Sequence, residues 1–264
     1  MNKLCRSIIQ KDLNEITSSK QIFLPMIIVP LVFAIIIPIV MLISINFSSK
    51  GIGQINGLES MMKKLPNEYI NFSIPELVLK TGVNYFFPSL FLIIPIMSSN
   101  IIGASSFVGE KEHKTMETLL YTPISIEKIF ISKVIGVFIL SFIITLISFV
   151  IFGIMINIGG VIYLGEIIFP NVKWIILIIY VVPALTVLGL SFTVLVSAKS
   201  KTFQEAQQQS GLIVVPIILL FVGQMTGVFL LNNTLLILLG TIIFIIDYIL
   251  IKVMSKRFVP ENLI

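Results

Sequence analysis

The sequence predicts an all-α, polytopic membrane protein with six transmembrane helices. Three observations carry that expectation. Of its 264 residues, 56% are hydrophobic and only 12% are charged, against about 25% charged in an ordinary soluble domain. The mean hydropathy is +1.06. The apolar residues are gathered into long runs, and a bilayer crossing needs about 20 of them. A soluble enzyme or binding module is excluded, because no water-soluble fold hides so much apolar surface. Disorder is excluded too, since it requires charge-rich sequence poor in Ile, Leu and Phe. The one cysteine, Cys5, leaves no intrachain disulfide and no thiolate metal site. The expected organisation is a single transmembrane domain over 1–264, with a cytoplasmic segment 1–21, a six-span bundle 22–254 and a cytoplasmic tail 255–264.

The N-terminal segment carries apolar residues at Leu4, Ile8, Ile9, Leu13 and Ile16. Steps of four, one, four and three place them on one side of a helix, although Asp12 interrupts the stripe. An amphipathic helix lying in the membrane interface is expected. Its charges make it too polar for a signal-peptide leader, so it is expected to be retained. The first apolar run is Ile22 to Phe47, and Pro25, Pro30 and Pro38 are tolerable within it if neighbours satisfy the freed carbonyls. A polar stretch from Ser48 to about Gly82 follows. The second run is Tyr85 to Val108 and the third Ile129 to Ile158, whose length implies an interfacial start. A short loop, Gly159 to Lys173, leads to the fourth run, Trp174 to Ala198. Lys199 to Gln209 is polar again, the fifth run is Leu212 to Leu231, Asn232-Asn233 reads as a tight turn, and the sixth is Leu235 to Met254.

Six crossings place both termini on one side. That side collects Lys3, Arg6, Lys11, Lys20, Lys111, Lys114, Lys128, Lys133, Lys199, Lys201, Lys252, Lys256 and Arg257. The other holds only Lys50, Lys63, Lys64, Lys80 and Lys173. The positive-inside rule then makes both termini cytoplasmic. The two halves show no sequence repeat, so an inverted-repeat secondary transporter gains no support.

Catalytic patterns are missing from the sequence. His113, the only histidine, sits beside Glu112 and Glu117, but no second histidine completes a zinc site. HExxH, GxSxG and the phosphate-binding GxxxxGK[ST] pattern do not occur. If ATP is used, another chain binds it. Two polar residues stand out inside apolar runs. Asp247 reads as a functional intramembrane carboxylate, or as an interfacial one roughly 7–8 Å from the end of its helix. Gln224, between Gly223 and Gly227, marks either a helix break or a polar contact between helices.

The sharpest segment runs from Gly109 to Lys133. Glu110 and Lys114 have the i,i+4 spacing of a helix-surface pair, while Met116, Leu119 and Leu120 give that helix one apolar face. Thr122-Pro123 should end it, because the residue before proline avoids the α region. Ser125 suits the N-cap of the next helix, with Glu127 in its first turn. Helix, sharp turn and helix at a membrane surface, with carboxylates between apolar residues, fit a docking element better than a solvated loop.

This segment resembles the cytoplasmic loop between the second and third spans of type-2 ABC exporter permeases. The residues carrying the resemblance are Gly109, Glu110, Lys111, Glu112, Thr115, Glu117, Leu119, Leu120, Pro123, Ile124, Ser125 and Lys133. Weaker likeness is found at Lys11 to Ile16 and at Ser197 to Gln207. Where the family often has an Arg-Asp-(Lys/Arg) cluster before the first span, this chain has Ser18-Ser19-Lys20. A loop of about 35 residues replaces the family's larger external domains. The resemblance implies the membrane subunit of an ATP-driven exporter in a bacterial plasma membrane, itself not an enzyme. It would pair with a second permease copy or a homologous permease, contact lipid rather than nucleic acid, and dock a cytoplasmic ABC ATPase that binds ATP and Mg. The implied coupling residues are Glu110, Glu112, Thr115, Met116, Glu117, Leu119, Pro123, Ser125 and Lys128. Its cargo would be a drug, an antimicrobial peptide, a lipid or sodium. The alternatives are an ion-coupled secondary transporter, for which only Asp247 speaks, and a non-transporting immunity or sensor protein.

Overall fold

The computed structural model describes residues 10, 11, 14, 16, 18–48, 72–112, 126–226 and 228–257, and all regular elements among them are helical. Six helices are long and apolar enough to cross a membrane: Ile22–Ile45, Pro75–Gly109, Lys128–Leu164, Val172–Ser197, Phe203–Met225 and Asn233–Lys252. The second span is the axis of the bundle. It is 94% buried, the fourth 56%, and each of the others 28% or less. The remaining spans therefore wrap the second and turn most of their apolar surface outward, as helices solvated by hydrocarbon do.

Prolines accompany three of the four π-turns among the described residues. Pro38, Pro88 and Pro183 each follow a π-helical turn, at Val32–Ile36, Gly82–Phe86 and Leu177–Val181. A proline ring has no N–H and displaces the carbonyl four residues before it. That carbonyl belongs to Ala34, Asn84 and Ile179 respectively, and it lies inside the widened turn each time. At the second span the freed groups find new donors. Phe87 N–H bonds back to Gly82 O, so Val83 O and Asn84 O both lose their helical partners. Trp174 Nε1 donates to Val83 O at 3.0 Å, and Lys173 Nζ donates to Asn84 O and, at 2.6 Å, to Leu231 O.

A fourth π-turn, Ser105–Gly109, sits at the other end of the same span. Lys133 Nζ, from the third span, donates to Ser106 O there. Asn84 and Ser106 are 22 residues apart, about 33 Å along a helix. The hydrocarbon core of a bilayer is about 30 Å thick. The two lysines thus lie at the two edges of one membrane thickness.

Two apolar clusters fill the bundle. Toward the Lys173 end, Phe91, Phe152, Phe169 and Trp174 pack with Leu92, Leu177 and Val181. Phe152 lies 4.9 Å and Phe91 5.3 Å from the Trp174 ring, centroid to centroid. Toward the Lys133 end, Ile101, Ile102 and Phe107 pack with Val137, Leu190, Val194 and Phe203. Between the clusters lies a polar seam of Ser98, Ser99 and Asn100 on the second span, Thr193 on the fourth and Ser210 on the fifth, all buried. The second and fourth spans meet closely at this seam because Gly189 has no side chain: a Cβ there would overlap Ser99 Oγ. Small residues at such crossings let membrane helices approach.

Several boundaries differ from the sequence reading. The stretch read as polar up to Gly82 is helical from Ile74, because Glu76 reaches back to cap Ser73 N–H at 2.8 Å. The third helix continues past Ile158 to Leu164 and stops at Gly165, whose φ of +69° is the left-handed conformation that ends helices. The polar stretch after the fourth span is helical too, over Phe203–Ser210, with Thr202 Oγ1 capping Glu205 N–H. The fifth helix ends at Met225 rather than Leu231. Asn232, read as part of a tight turn, caps the sixth helix by accepting from Leu235 N–H at 2.9 Å. Of the N-terminal segment, Gln10, Lys11, Asn14, Ile16 and Ser18 are described, all helical, and Ile16 is buried against the Lys133-end cluster. The rest of the expected amphipathic helix lies outside the described residues.

Gly189→Leu should lower the melting temperature of the detergent-solubilised protein, since overpacking costs about 1–3 kcal/mol. Gly211→Ala, where a Cβ meets nothing within 4 Å, should leave it near the wild-type value.

Candidate functional site

Glu110 is the first residue beyond the second span and the first of the sequence-predicted coupling residues. Its side chain is buried within the chain, with Lys133 Nζ 2.8 Å from Oε2 and Lys11 Nζ 2.6 Å from Oε1. The π-turn at Ser105–Gly109 turns Glu110 back onto Lys133, whose ammonium also meets Ser106 O and lies 5.7 Å from the Phe107 ring. Burial pushes the Glu110 carboxyl up, but the two ammonium groups, Lys133 first, outweigh it and hold the carboxyl below the usual range. One carboxylate thereby ties together the N-terminal segment, the end of the second span and the start of the third.

Glu112, two residues on, is exposed and accepts a hydrogen bond from Phe203 N–H at 2.8 Å. It caps the start of the fifth span, where a negative charge also meets the positive end of the helix dipole. Lys128 is exposed at the start of the third span. Thr115, Met116, Glu117, Leu119, Pro123 and Ser125, with His113, lie outside the described residues. Residues 113–125 are therefore framed by described residues at two ends: Glu110 and Glu112 on one side, Lys128 and Lys133 on the other.

The two intramembrane polar residues stay apart from this cluster. Gln224 is fully buried one residue before the fifth helix ends, and among the described residues neither of its side-chain polar atoms has a hydrogen-bond partner. Asp247 is 3% exposed, and among the described residues neither of its oxygens has a hydrogen-bond partner. It continues a stripe of Leu236, Gly240 and Ile243, which is buried where Gly240 meets Tyr180 and Val181 of the fourth span.

Three residues that the sequence reading passed over prove central. Lys133 counted only toward charge and motif, yet a lysine at the head of an apolar run is itself a signal that a carboxylate waits nearby. Lys173 was assigned to a loop and is buried, with the Tyr85 ring 4.3 Å away. Asn100 was unremarked; its amide bridges Ser210 O and Thr193 Oγ1.

The depressed Glu110 carboxyl has a consequence for stability. A folded value below the unfolded one adds stability that is present above the usual carboxylate range. That stability is lost as pH falls through the lower folded value. Melting of the wild type should weaken on acidification through that window. Glu110→Ala, which strands Lys133, should lose roughly 3–5 kcal/mol near neutral pH and show a flatter acid dependence in the same melting series.

Comparison with protein families gives one match, to the family described as ABC-2 family transporter protein, over residues 6–250. Neither the curated proteins nor the solved structures provide a match. The matched stretch takes in the first five apolar spans, the sixth up to residue 250, and the Glu110–Lys133 cluster between the second and third. A multi-pass chain built in this way belongs to the ABC-2 family of transporter proteins, the membrane permeases that work with an ATPase subunit.

Proposed function

We propose that this chain is an exporter permease whose segment 110–128 docks a cytoplasmic ABC ATPase, with the Lys133 end of the bundle facing the cytoplasm. Two permeases would form the translocation path between them, and both termini would be cytoplasmic in a bacterial plasma membrane. The cargo expected is a drug, an antimicrobial peptide, a lipid or sodium, carried by a subunit that does not itself hydrolyse ATP.

The observation that carries this reading is the anchoring of Glu110. A segment that only satisfied positive-inside statistics would have no need of a buried carboxylate holding its root to two lysines. A segment that transmits force does. Anything that displaces residues 113–125 pulls on Glu110, and so on the most buried helix of the bundle. The exposed carboxylate and apolar side chains expected on the segment, Glu117 with Met116 and Leu119, suit a partner with basic and apolar patches.

Glu117→Lys should weaken co-purification of the ATPase, or uncouple its hydrolysis from export. Interface hot spots are each worth about 2 kcal/mol or more, roughly a 30-fold change in affinity. Glu59→Lys, in the loop after the first span, should do neither, and equal behaviour of the two variants would defeat the docking assignment. Orientation is checked separately in a Cys5→Ser background. A cysteine at Lys63 should react with an impermeant thiol reagent added to intact cells, and one at Lys201 should not.

A further inference from the structure

We infer that Phe203–Ser210 is a lever, hinged to the rest of the fifth span at Gly211–Val214 and clamped at its two ends by Glu112 and Asn100. These two residues position the lever and pass movement of the docking segment into the outer part of the fifth span. The lever's use in transport rests on the proposed function; its existence as a hinged, clamped unit does not.

Covalent chemistry sets the hinge. Pro216 has no N–H and its ring excludes the carbonyl of Leu212, four residues earlier. The chain responds with a 3₁₀ turn over Gly211–Val214, in which Val215 N–H bonds to Leu212 O, between the helices Phe203–Ser210 and Val215–Met225. Such a turn in mid-helix marks a place where two helical pieces can change their angle. A Cβ on Gly211 would meet nothing within 4 Å, so the turn has open space beside it.

The two pieces are held in different ways. Phe203–Ser210 is polar in sequence, yet it buries Phe203, Ala206 and Ser210 along one face. Val215–Met225 is apolar but buries only Ile217 and Gln224, leaving Val215, Ile218, Leu219, Val222 and Met225 exposed. The hinge thus joins a piece seated in the bundle to a piece lying along its outside.

Both clamps come from the second span or its extension. Glu112 Oε2 accepts from Phe203 N–H at 2.8 Å, at the start of the lever. Asn100 Nδ2 donates to Ser210 O at 3.1 Å, at its end. Asn100 is itself fixed, since Thr193 Oγ1 donates to its Oδ1 at 2.9 Å. It lies in the polar seam, at the level of the hinge. Glu112 is the last described residue at the near end of the docking segment. A shift there moves the Glu112 carboxylate, and with it the lever's start, while Asn100 holds the pivot.

Spin labels at Gln208→Cys and Leu219→Cys, both exposed positions, span the hinge in a Cys5→Ser background. Their separation, measured by pulsed electron paramagnetic resonance, should form one narrow distribution in the otherwise wild-type protein. Asn100→Ala and Glu112→Ala should broaden or shift it. Glu112→Gln keeps an acceptor for Phe203 N–H and should restore the wild-type distribution. Pro216→Ala, at an exposed site, should shift and narrow it by letting the helix run through. Unchanged distributions in Glu112→Ala and Pro216→Ala overturn the lever, including where Asn100→Ala does not assemble. In the complex, Glu112→Ala should export less cargo per ATP hydrolysed than the wild type, with Glu112→Gln rescuing it. An altered distribution in a protein that binds no ATPase would uphold the lever and defeat the proposed function instead.

Discussion

A polar backbone cannot be left unpaired in hydrocarbon, where each unsatisfied group costs several kcal/mol. The second span tests that constraint hardest, because it is buried along nearly its whole length and broken by π-turns near both ends. The answer at each break is a lysine from a neighbouring helix. Lys173 serves the Pro88 break and Lys133 the break before Glu110. Each brings its ammonium to a carbonyl at the edge of the membrane, while its stem packs on apolar surface. The depth of the bundle, the seating of the third and fourth spans and the position of the axial helix all depend on these two contacts.

The two ends differ in what accompanies the lysine. At the Lys173 end the surroundings are neutral amides, carbonyls and an aromatic ring, with Asn171 bonded to Asn84 at 2.6 Å and capping Trp174 N–H. This end is locked to its own loops. At the Lys133 end a carboxylate joins, and it brings in Lys11 from far along the chain. Removing a carbonyl's donor loosens one helix; removing Glu110 releases three segments together. An end whose integrity depends on one charged group also responds to force applied beside that group. This asymmetry supports the proposal that the Lys133 end is the one that meets the ATPase.

Between the two ends, the polar seam lies at the level of the inferred hinge in the fifth span. Asn100, Thr193 and Ser210 exchange hydrogen bonds among three spans, and the fifth span changes from α to 3₁₀ geometry at the same height. Hydrogen-bonded seams can be rearranged without opening a cavity, whereas the interlocked rings around Trp174 cannot.

Much of the fold was legible in the amino-acid sequence. The six spans followed from apolar run length, because a bilayer imposes a fixed thickness on any chain that crosses it. The tolerance of prolines within spans was legible as well, although not the donors that make it possible. Those donors were decided by tertiary structure. Nothing in the spacing of Lys133, Glu110 and Lys11, or of Lys173 and Asn84, joins them, since their contacts span up to 99 positions in sequence. Glu110 looked like a surface charge because its own neighbours are charged, and only the π-turn before it turns the side chain inward. The sequence determined what had to be buried in lipid; packing between spans decided which polar groups would meet, because only the assembled bundle brings distant donors to the carbonyls that proline and π-turns release.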